Sequence, residues 1–261
     1  MHSDYTPIIY NIDSSMPEVE VYFAHDIHMG NDTCSEEKWS AFKKQILDKP
    51  NRFLIMVGDY CENAVIDSKS DIYTQTMPPY AQKEWLSEQM IELKDRIIAI
   101  VPGNHEDNRI TRTCGLYPVY DCAKDAGLQN LYRHNFAIVD IGVGDAKHGK
   151  NSHKQIRYFG YIVHRLRDAR MYNGADFVDG IDFAMYGHDH DPKDHPRSKL
   201  VYDSKNKTIA QKNIEVINSG SFMNYGGYAT KAGYRPLSSK CYKMVLSDKR
   251  EKDIMTVGFY L

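Results

Sequence analysis

The chain predicts a mixed α/β sandwich in one domain, and three observations carry that expectation. Apolar runs of strand length recur along all 261 residues. The early runs alternate with stretches of helical period, whereas the late part is strand-rich without helices between. Six short polar clusters end those runs in order: Asp26-Ile27-His28, Gly58-Asp59, Gly103-Asn104-His105-Glu106, His164, Gly187-His188-Asp189-His190 and Asn218-Ser219-Gly220-Ser221. The length suits a single domain over 1–261 with a full core.

Taken in order, Glu18 to Ala24 alternates and then turns apolar, which predicts a strand. Thr33-Cys34-Ser35-Glu36 has the form of a capping box. It opens a helix whose stripe is Trp39, Phe42 and Ile46, stopped by Pro50. Arg52 to Val57 is apolar throughout, as in a strand buried on both faces. Residues 60–79 are polar and irregular. Ala81 to Lys94 places Trp85, Leu86, Met90 and Leu93 at helical spacing. These aromatics and those of the first helix read as core stripes. Arg96 to Val101 is the next strand, broken by Pro102-Gly103. Leu116 to Gly127 suits a short helix. Asn135 to Val143 and Gln155 to Val163 predict strands around an exposed, mobile loop, GDAKHGKNSHK. Phe183 to Tyr186 and Ile214 to Asn218 are further strands. The end, CYKMVLSDKREKDIMTVGFYL, predicts a hairpin with a charged turn, where Lys249, Arg250 and Lys252 sit.

Composition removes several classes of function. The chain is 42% hydrophobic and 26% charged, ordinary for a globular protein. Its formal net charge of −2 gives no overall pull toward nucleic acid or membrane. Five cysteines, at 34, 61, 114, 122 and 241, form no CxxC pair. The N-terminus lacks the pattern of a signal peptide, and no apolar stretch nears the roughly 20 residues of a membrane span. A reduced, cytoplasmic protein with free thiols and no membrane association is expected. Nothing in the chain sets the oligomeric state.

The clusters have the chemistry of a metal site. Side chains alternate along a strand, so Asp26 and His28 point the same way, as do His188 and His190. Asp189 and His25 then face away and carry no ligand role. One carboxylate, Asp59, can bridge two cations, and Asn104 offers a neutral oxygen. Imidazole with carboxylate suits Mn, Fe, Zn, Co or Ni over calcium. Alone, each piece has a plainer meaning. Gly58-Asp59 is a common turn, Gly103-Asn104 is another, and His164 is an ordinary half-buried histidine. Their joint order is what signals a site.

That order and those residue types resemble the calcineurin-like metallophosphoesterase superfamily, over about residues 20–221. The resemblance implies a four-layer αββα sandwich of two mixed β-sheets flanked by helices. It implies two divalent metal ions, Mn²⁺ first among them. One would be held by Asp26, His28, Asp59 and His190, the other by Asp59, Asn104, His164 and His188. It keeps His105 off the metals and over the phosphate, as the group that stabilises it or protonates the leaving group, with Asn104 beside it. The implied activity is hydrolysis of a phosphate ester by a metal-bridging hydroxide attacking in line.

The chain departs from the superfamily's protein phosphatases. Their Gly-Asp-x-Val-Asp-Arg-Gly is here Gly58-Asp59-Tyr60-Cys61-Glu62-Asn63-Ala64, so Asn63 replaces the arginine that clamps substrate phosphate. This favours a phosphodiesterase over a phosphomonoesterase or protein phosphatase. His25 stands where a small hydroxyl residue is usual, and Ser219 where a proline is. GDYCENA, GNHEDNRITR and SGSFMNYGGYATKAGYRP look like a branch found in phage and mobile-element genomes. The expected substrate is a phosphorylated small molecule, a nucleotide or a nucleic acid. A nuclease would need a basic groove, and Lys147 to Arg170 is the one local concentration of basic residues. Lys147, His148, Lys150, His153, Lys154 and Arg157 read first as a solvated loop. Arg109 and Arg112 are equally a substrate contact or a solvated loop. A catalytically silent scaffold is the reading from another class. The intact ligands and His105 oppose it.

Overall fold

The computed structural model describes residues 2–68, 70–147, 153–165, 178–236, 238–249 and 254–261. Its strands are β1 (Ile8–Asn11), β2 (Glu18–Ala24), β3 (Arg52–Val57), β4 (Ile97–Val101), β5 (Phe136–Lys147) and β6 (His153–Val163). They continue as β7 (Phe183–Tyr186), β8 (Lys193–Asp194), β9 (Arg197–Asp203), β10 (Thr208–Asn218), β11 (Lys240–Ser247) and β12 (Met255–Tyr260). The helices are α1 (Glu36–Leu47), α2 (Pro79–Leu93), α3 (Asn104–Glu106), α4 (Arg112–Cys114), α5 (Pro118–Asp125) and α6 (Gly227–Lys231).

The strands form two mixed sheets. One has five strands in the order β12-β11-β2-β3-β4. The other has seven, β1-β5-β6-β7-β10-β8, with β9 paired on β10. Alternation along β2 and β3 decides which residue faces which layer. Val19, Val21, Phe23, Phe53, Ile55 and Val57 face the other sheet, against residues such as Val139, Ile141, Tyr158 and Phe183. Tyr22, Ala24, Leu54 and Met56 face outward, where Trp39, Phe42 and Ile46 of α1, Leu86, Met90 and Leu93 of α2, and Val119 and Cys122 of α5 cover them. The expected sandwich of two mixed sheets with helices outside is therefore present. On the outer face of the seven-stranded sheet, the described residues form a smaller cluster around Ile181, Ala184, Tyr186, Ile214 and Val216. All five cysteines are free. Among the described residues, no helix is long and apolar enough to cross a membrane.

Several local expectations are corrected. Helix α1 begins two residues later than a Thr33 cap predicts, because Ser35 is the true N-cap and its Oγ accepts from Lys38 N. Thr33 instead closes a turn on the Asn31 side chain. Strands β5 and β6 run into the segment expected to be a loop, pairing as far as Lys147 with His153 across a bulge. A backbone ladder needs no apolar side chains, and Gly144, at φ +62°, absorbs the irregularity where a Cβ would strike Asp248. Residues 148–152, 166–170 and the charged-turn residues Arg250 and Lys252 lie outside the described residues. Strand β10 starts at Thr208 rather than Ile214, and its polar first half pairs with β9.

Parallel pairing sets the site. Strands β2, β3 and β4 run parallel, so Asp26, Asp59 and Asn104 leave neighbouring strands at one edge. In the second sheet β6, β7 and β10 also run parallel, and deliver His164, then His188 and His190, then Asn218.

Candidate metal centre

The ligand pairs meet, but not through strand alternation. Asp26, His28, Asp59, His188 and His190 all have left-handed backbones, with φ of 51°, 52°, 50°, 76° and 54°. The only other non-glycine residues in that region among those described are Asn63 and Lys207. Such conformations cost about 1–3 kcal/mol each and persist where surrounding contacts impose them. Here the contacts are a continued backbone ladder: Asp26 N donates to Gly58 O at 3.0 Å, and His28 N to Asp59 O at 3.1 Å. Gly58, at φ +88°, makes the turn, and a Cβ on it would sit 2.5 Å from Gly103 N. The loops after β3 and β4 touch only because both residues lack side chains.

Three groups of ligand atoms result, each within 4.8 Å among themselves: Asp26, His28 and His190; Asp59, His164 and His188; His28, Asp59 and His105. His190 Nε2 lies 3.4 Å from Asp26 Oδ1 and 3.1 Å from His28 Nε2. His164 Nε2 lies 3.2 Å from Asp59 Oδ2. Asn104 joins them beside His105, whose backbone N donates to Asp59 Oδ1 at 2.8 Å. Six of the seven residues expected as ligands are thus drawn together, and Asn104, with its Oδ1 buried, adjoins them through His105. His105 stands within ligand reach of the same cluster, 3.7 Å from Asp59 Oδ2.

The residues present fit cations. Three buried ligand-type atoms, Asp26 Oδ1, Asn104 Oδ1 and His164 Nε2, make no hydrogen bond. Buried polar atoms left so are costly unless something else coordinates them. The far side of several ligands is already engaged. His164 Nδ1 donates to Val57 O at 2.6 Å, which turns the Nε2 lone pair to the cluster. His28 Nδ1 faces Glu62 Oε2 at 3.3 Å. Asp26 Oδ2 accepts from His25 Nδ1 at 2.6 Å and from His188 N at 2.7 Å, so Oδ1 alone is left.

The electrostatics agree. Burial works to raise Asp59, yet the charges of His164, His105 and His28 hold it far below the usual carboxylate range. Burial likewise opposes ionisation of Asp26, and His190 and His25 overcome it. Burial would lower His28 and His164, but the neighbouring carboxylates lift them to about 10 and about 9. The cluster is a pocket of negative field that holds positive charge. His105 moves the other way, to about 4, through burial and the charges of His28 and Arg109.

Reading the sequence alone missed three supporting residues. Glu62 binds both His28 and Arg109, the latter at 2.7 Å through Nη1. Its signal was the need of a ligating histidine for an acceptor on its far nitrogen. Glu106 accepts from Asp59 N, Cys61 N and Gly103 N at 3.1, 2.9 and 2.9 Å, which locks the two loops together. Burial and the Asp59 charge push its carboxyl up to about 7. His25, expected to face away from Asp26 without a ligand role, is fully buried with its ring on the Asp26 carboxylate. Arg109 does reach the site, but its donors go to Glu62, Ser70 and His105 Nε2. Arg112 is exposed. Asn63 is buried, its N–H donating to Gln82 Oε1. Asp189 is exposed. The Asn218–Ser221 turn lies under the site: Ser219 Oγ accepts from Tyr242 N, and Phe222 N donates to Asp26 O.

No family model and no curated protein matches the chain. Solved structures do resemble it. A conserved Streptococcus pneumoniae protein described as a predicted phosphoesterase aligns at 12% identity and TM-score 0.33, over 94% of this chain and 98% of that one. Vps29 of Chaetomium thermophilum aligns at 11% identity and TM-score 0.39, over 93% and 98%. A Staphylococcus aureus protein described as a 5′-nucleotidase, solved with α-ketoglutarate, aligns at 12% identity and TM-score 0.41, over 93% of this chain. The chain spans about half of that last protein, 53% of its length.

Proposed function

We propose that the protein is a metal-dependent phosphoesterase of the calcineurin-like type, with a dinuclear centre, acting on a phosphodiester. The supporting observation is the convergence of seven candidate ligands from five loops, with three of their buried atoms left without a hydrogen bond. Asp26, His28, Asp59 and His190 would hold one divalent ion. Asp59, Asn104, His164 and His188 would hold the other. Such ions would supply Lewis-acid chemistry there, neutralising phosphoryl oxygens and activating a water as nucleophile.

The chain's own groups do the rest. His105 is the substrate-facing residue. Its Nδ1 donates to Glu62 O at 3.0 Å, and Arg109 Nη2 donates to its Nε2 at 3.0 Å, so the ring plane is fixed. A substrate phosphate brings negative charge beside that ring, which raises its proton affinity; once Arg109 Nη2 swings off Nε2, that nitrogen can take up a proton and pass it to the leaving oxygen. The diester preference rests on Asn63, which occupies the clamp-arginine position and brings no guanidinium to it. Arg109 does not replace the clamp, since four acceptors already engage it.

The test is hydrolysis of bis(4-nitrophenyl) phosphate and 4-nitrophenyl phosphate with Mn²⁺, Ni²⁺, Zn²⁺ or chelator. Metal-dependent diester cleavage is expected. His105→Ala should lose about 10²–10⁴-fold in turnover while keeping its metal. Loss of metal in that variant would make His105 a ligand instead, and silence on both esters with every ion would favour the scaffold.

A further inference from the structure

We propose that the strap after β10 builds a nucleobase-stacking subsite beside the metal cluster, so that one substituent on the substrate's phosphorus is a nucleoside. This rests on the phosphodiesterase reading above.

The strap is pinned to the site at its start. Phe222 N donates to Asp26 O at 3.2 Å, Ser35 N to Phe222 O at 2.9 Å, and Asn224 N to Thr33 O at 2.7 Å. Immediately beyond stand three tyrosines more than half exposed: Tyr225 at 51%, Tyr228 at 58% and Tyr234 at 59%. They form one cluster. Tyr225 Oη donates to Tyr234 O at 2.6 Å, and the rings of Tyr228 and Tyr234 lie 6.1 Å apart. Exposed aromatic groups held together by backbone anchors mark a surface that something flat covers.

A cavity of about 190 Å³ lies between that surface and the chemistry, lined by Tyr228, Lys231, Asp32, Asp71, Ser70 and Glu62. Glu62 touches His28 at 3.3 Å. Ser70 Oγ accepts from Arg109 Nη2 at 3.1 Å, and the same nitrogen donates to His105. A phosphodiester seated at the cluster therefore extends one substituent into this cavity. Its lining selects the chemistry of that substituent. A tyrosine face stacks on any base. Asp32 and Asp71 accept from base amino groups and sugar hydroxyls. Three carboxylates against Lys231 repel a second phosphate, so the cavity takes the sugar and base, not a further length of backbone. On the strap's far side Arg235 is 79% exposed and lies 3.7 Å from Asp191, next to His190.

The experiment pairs two esters with the same leaving group, methyl 4-nitrophenyl phosphate and thymidine 5′-(4-nitrophenyl phosphate), in Mn²⁺. One stacked base should favour the thymidine ester about tenfold in kcat/KM, mostly through KM. Tyr228→Ala should bring that ratio toward one, and Tyr228→Phe should restore it. Equal use of both esters by the wild type would overturn the subsite and leave the phosphoesterase standing. If neither ester is cleaved, the phosphoesterase reading fails, and the subsite is decided by binding alone. In chelator, fluorescein-labelled oligothymidylate should bind, and more weakly to Tyr228→Ala and Tyr234→Ala. Competition by thymidine monophosphate supports the subsite, and binding that thymidine monophosphate leaves untouched overturns it. No binding of either probe overturns the subsite.

Discussion

The two sheets contribute to one site in different ways. From the five-stranded sheet, Asp26, His28 and Asp59 are 0%, 3% and 1% exposed, and each is held by several partners. The loops that carry them are tied by Glu106 and by the Gly58–Gly103 contact. From the seven-stranded sheet, His190 has a side chain 28% exposed, and His188 is half-buried. What order this second group has, it takes largely from the first sheet. His164 is oriented by Val57 O, and His188 N is held by Asp26 Oδ2. One sheet is a finished template and the other completes it. Damage to the contacts that tie the first sheet's loops should therefore cost the fold, and damage to the second should cost proposed ions alone.

Asp59 belongs to both groups, so its loss is expected to be the largest effect. Asp59→Asn keeps the shape but removes the charge that balances His28, His164 and His105. Both ions should be lost together, and Mn²⁺-dependent ester hydrolysis with them. Metal analysis after dialysis is the measurement. One ion retained at full occupancy would mean that the bridging role is wrong.

The next effect tests the template directly. Glu106→Ala strips the acceptor from three buried amides at once. Each unsatisfied donor costs about 1–3 kcal/mol, so a loss of at least about 3 kcal/mol is expected in urea unfolding. A loss under about 1 kcal/mol would show that the loops are held by something else.

How much of this the sequence made legible follows the same division. Strands β3, β4 and β7 were readable because fully buried strands are continuous apolar runs, β2 because it alternates before turning apolar, and helix α1 because Trp39, Phe42 and Ile46 repeat at helical spacing. Strands β1, β8 and β9 were not, since they are short or polar and gain their state from neighbours. Among site residues, those that terminate an apolar run were visible. Glu62, Glu106 and His25 were not, because their work is to hold a backbone amide or a ligand's far side, and that leaves no periodic trace. The Asp26–His28 pairing was inferred from alternation, yet the left-handed backbone at both residues is what produces it.

In the second sheet, His190→Ala should release one ion and shift stability by less than about 0.5 kcal/mol, as for other partly exposed positions. Metal stoichiometry and a thermal melt of the chelated protein, side by side, check it. A melt depressed as far as that of Glu106→Ala would end the distinction between template and completion.

The smallest effect asks whether the template sheet is stable apart from its site. At the solvent edge of β2, the Glu20 carboxylate accepts from Arg52 Nε at 2.8 Å and from Tyr22 Oη at 3.1 Å, and pairs with Lys243 Nζ at 2.9 Å, which ties β2 to β3 and β11. Burial raises the Glu20 pKa, but Lys243, Tyr22 and Arg52 together lower it below its ordinary 4.5. A carboxylate lowered on folding stabilises above its unfolded pKa, and that stabilisation is lost as pH falls through the folded value. Glu20→Gln should therefore cost about 1 kcal/mol at pH 7 and progressively less below about pH 4.5. Urea unfolding of both proteins from pH 3 to 7 measures the difference. A gap that stays constant across that range would assign the cost to lost packing rather than to charge, whereas a closing gap at unchanged metal content would show the sheet's strength to be independent of the proposed ions at its edge.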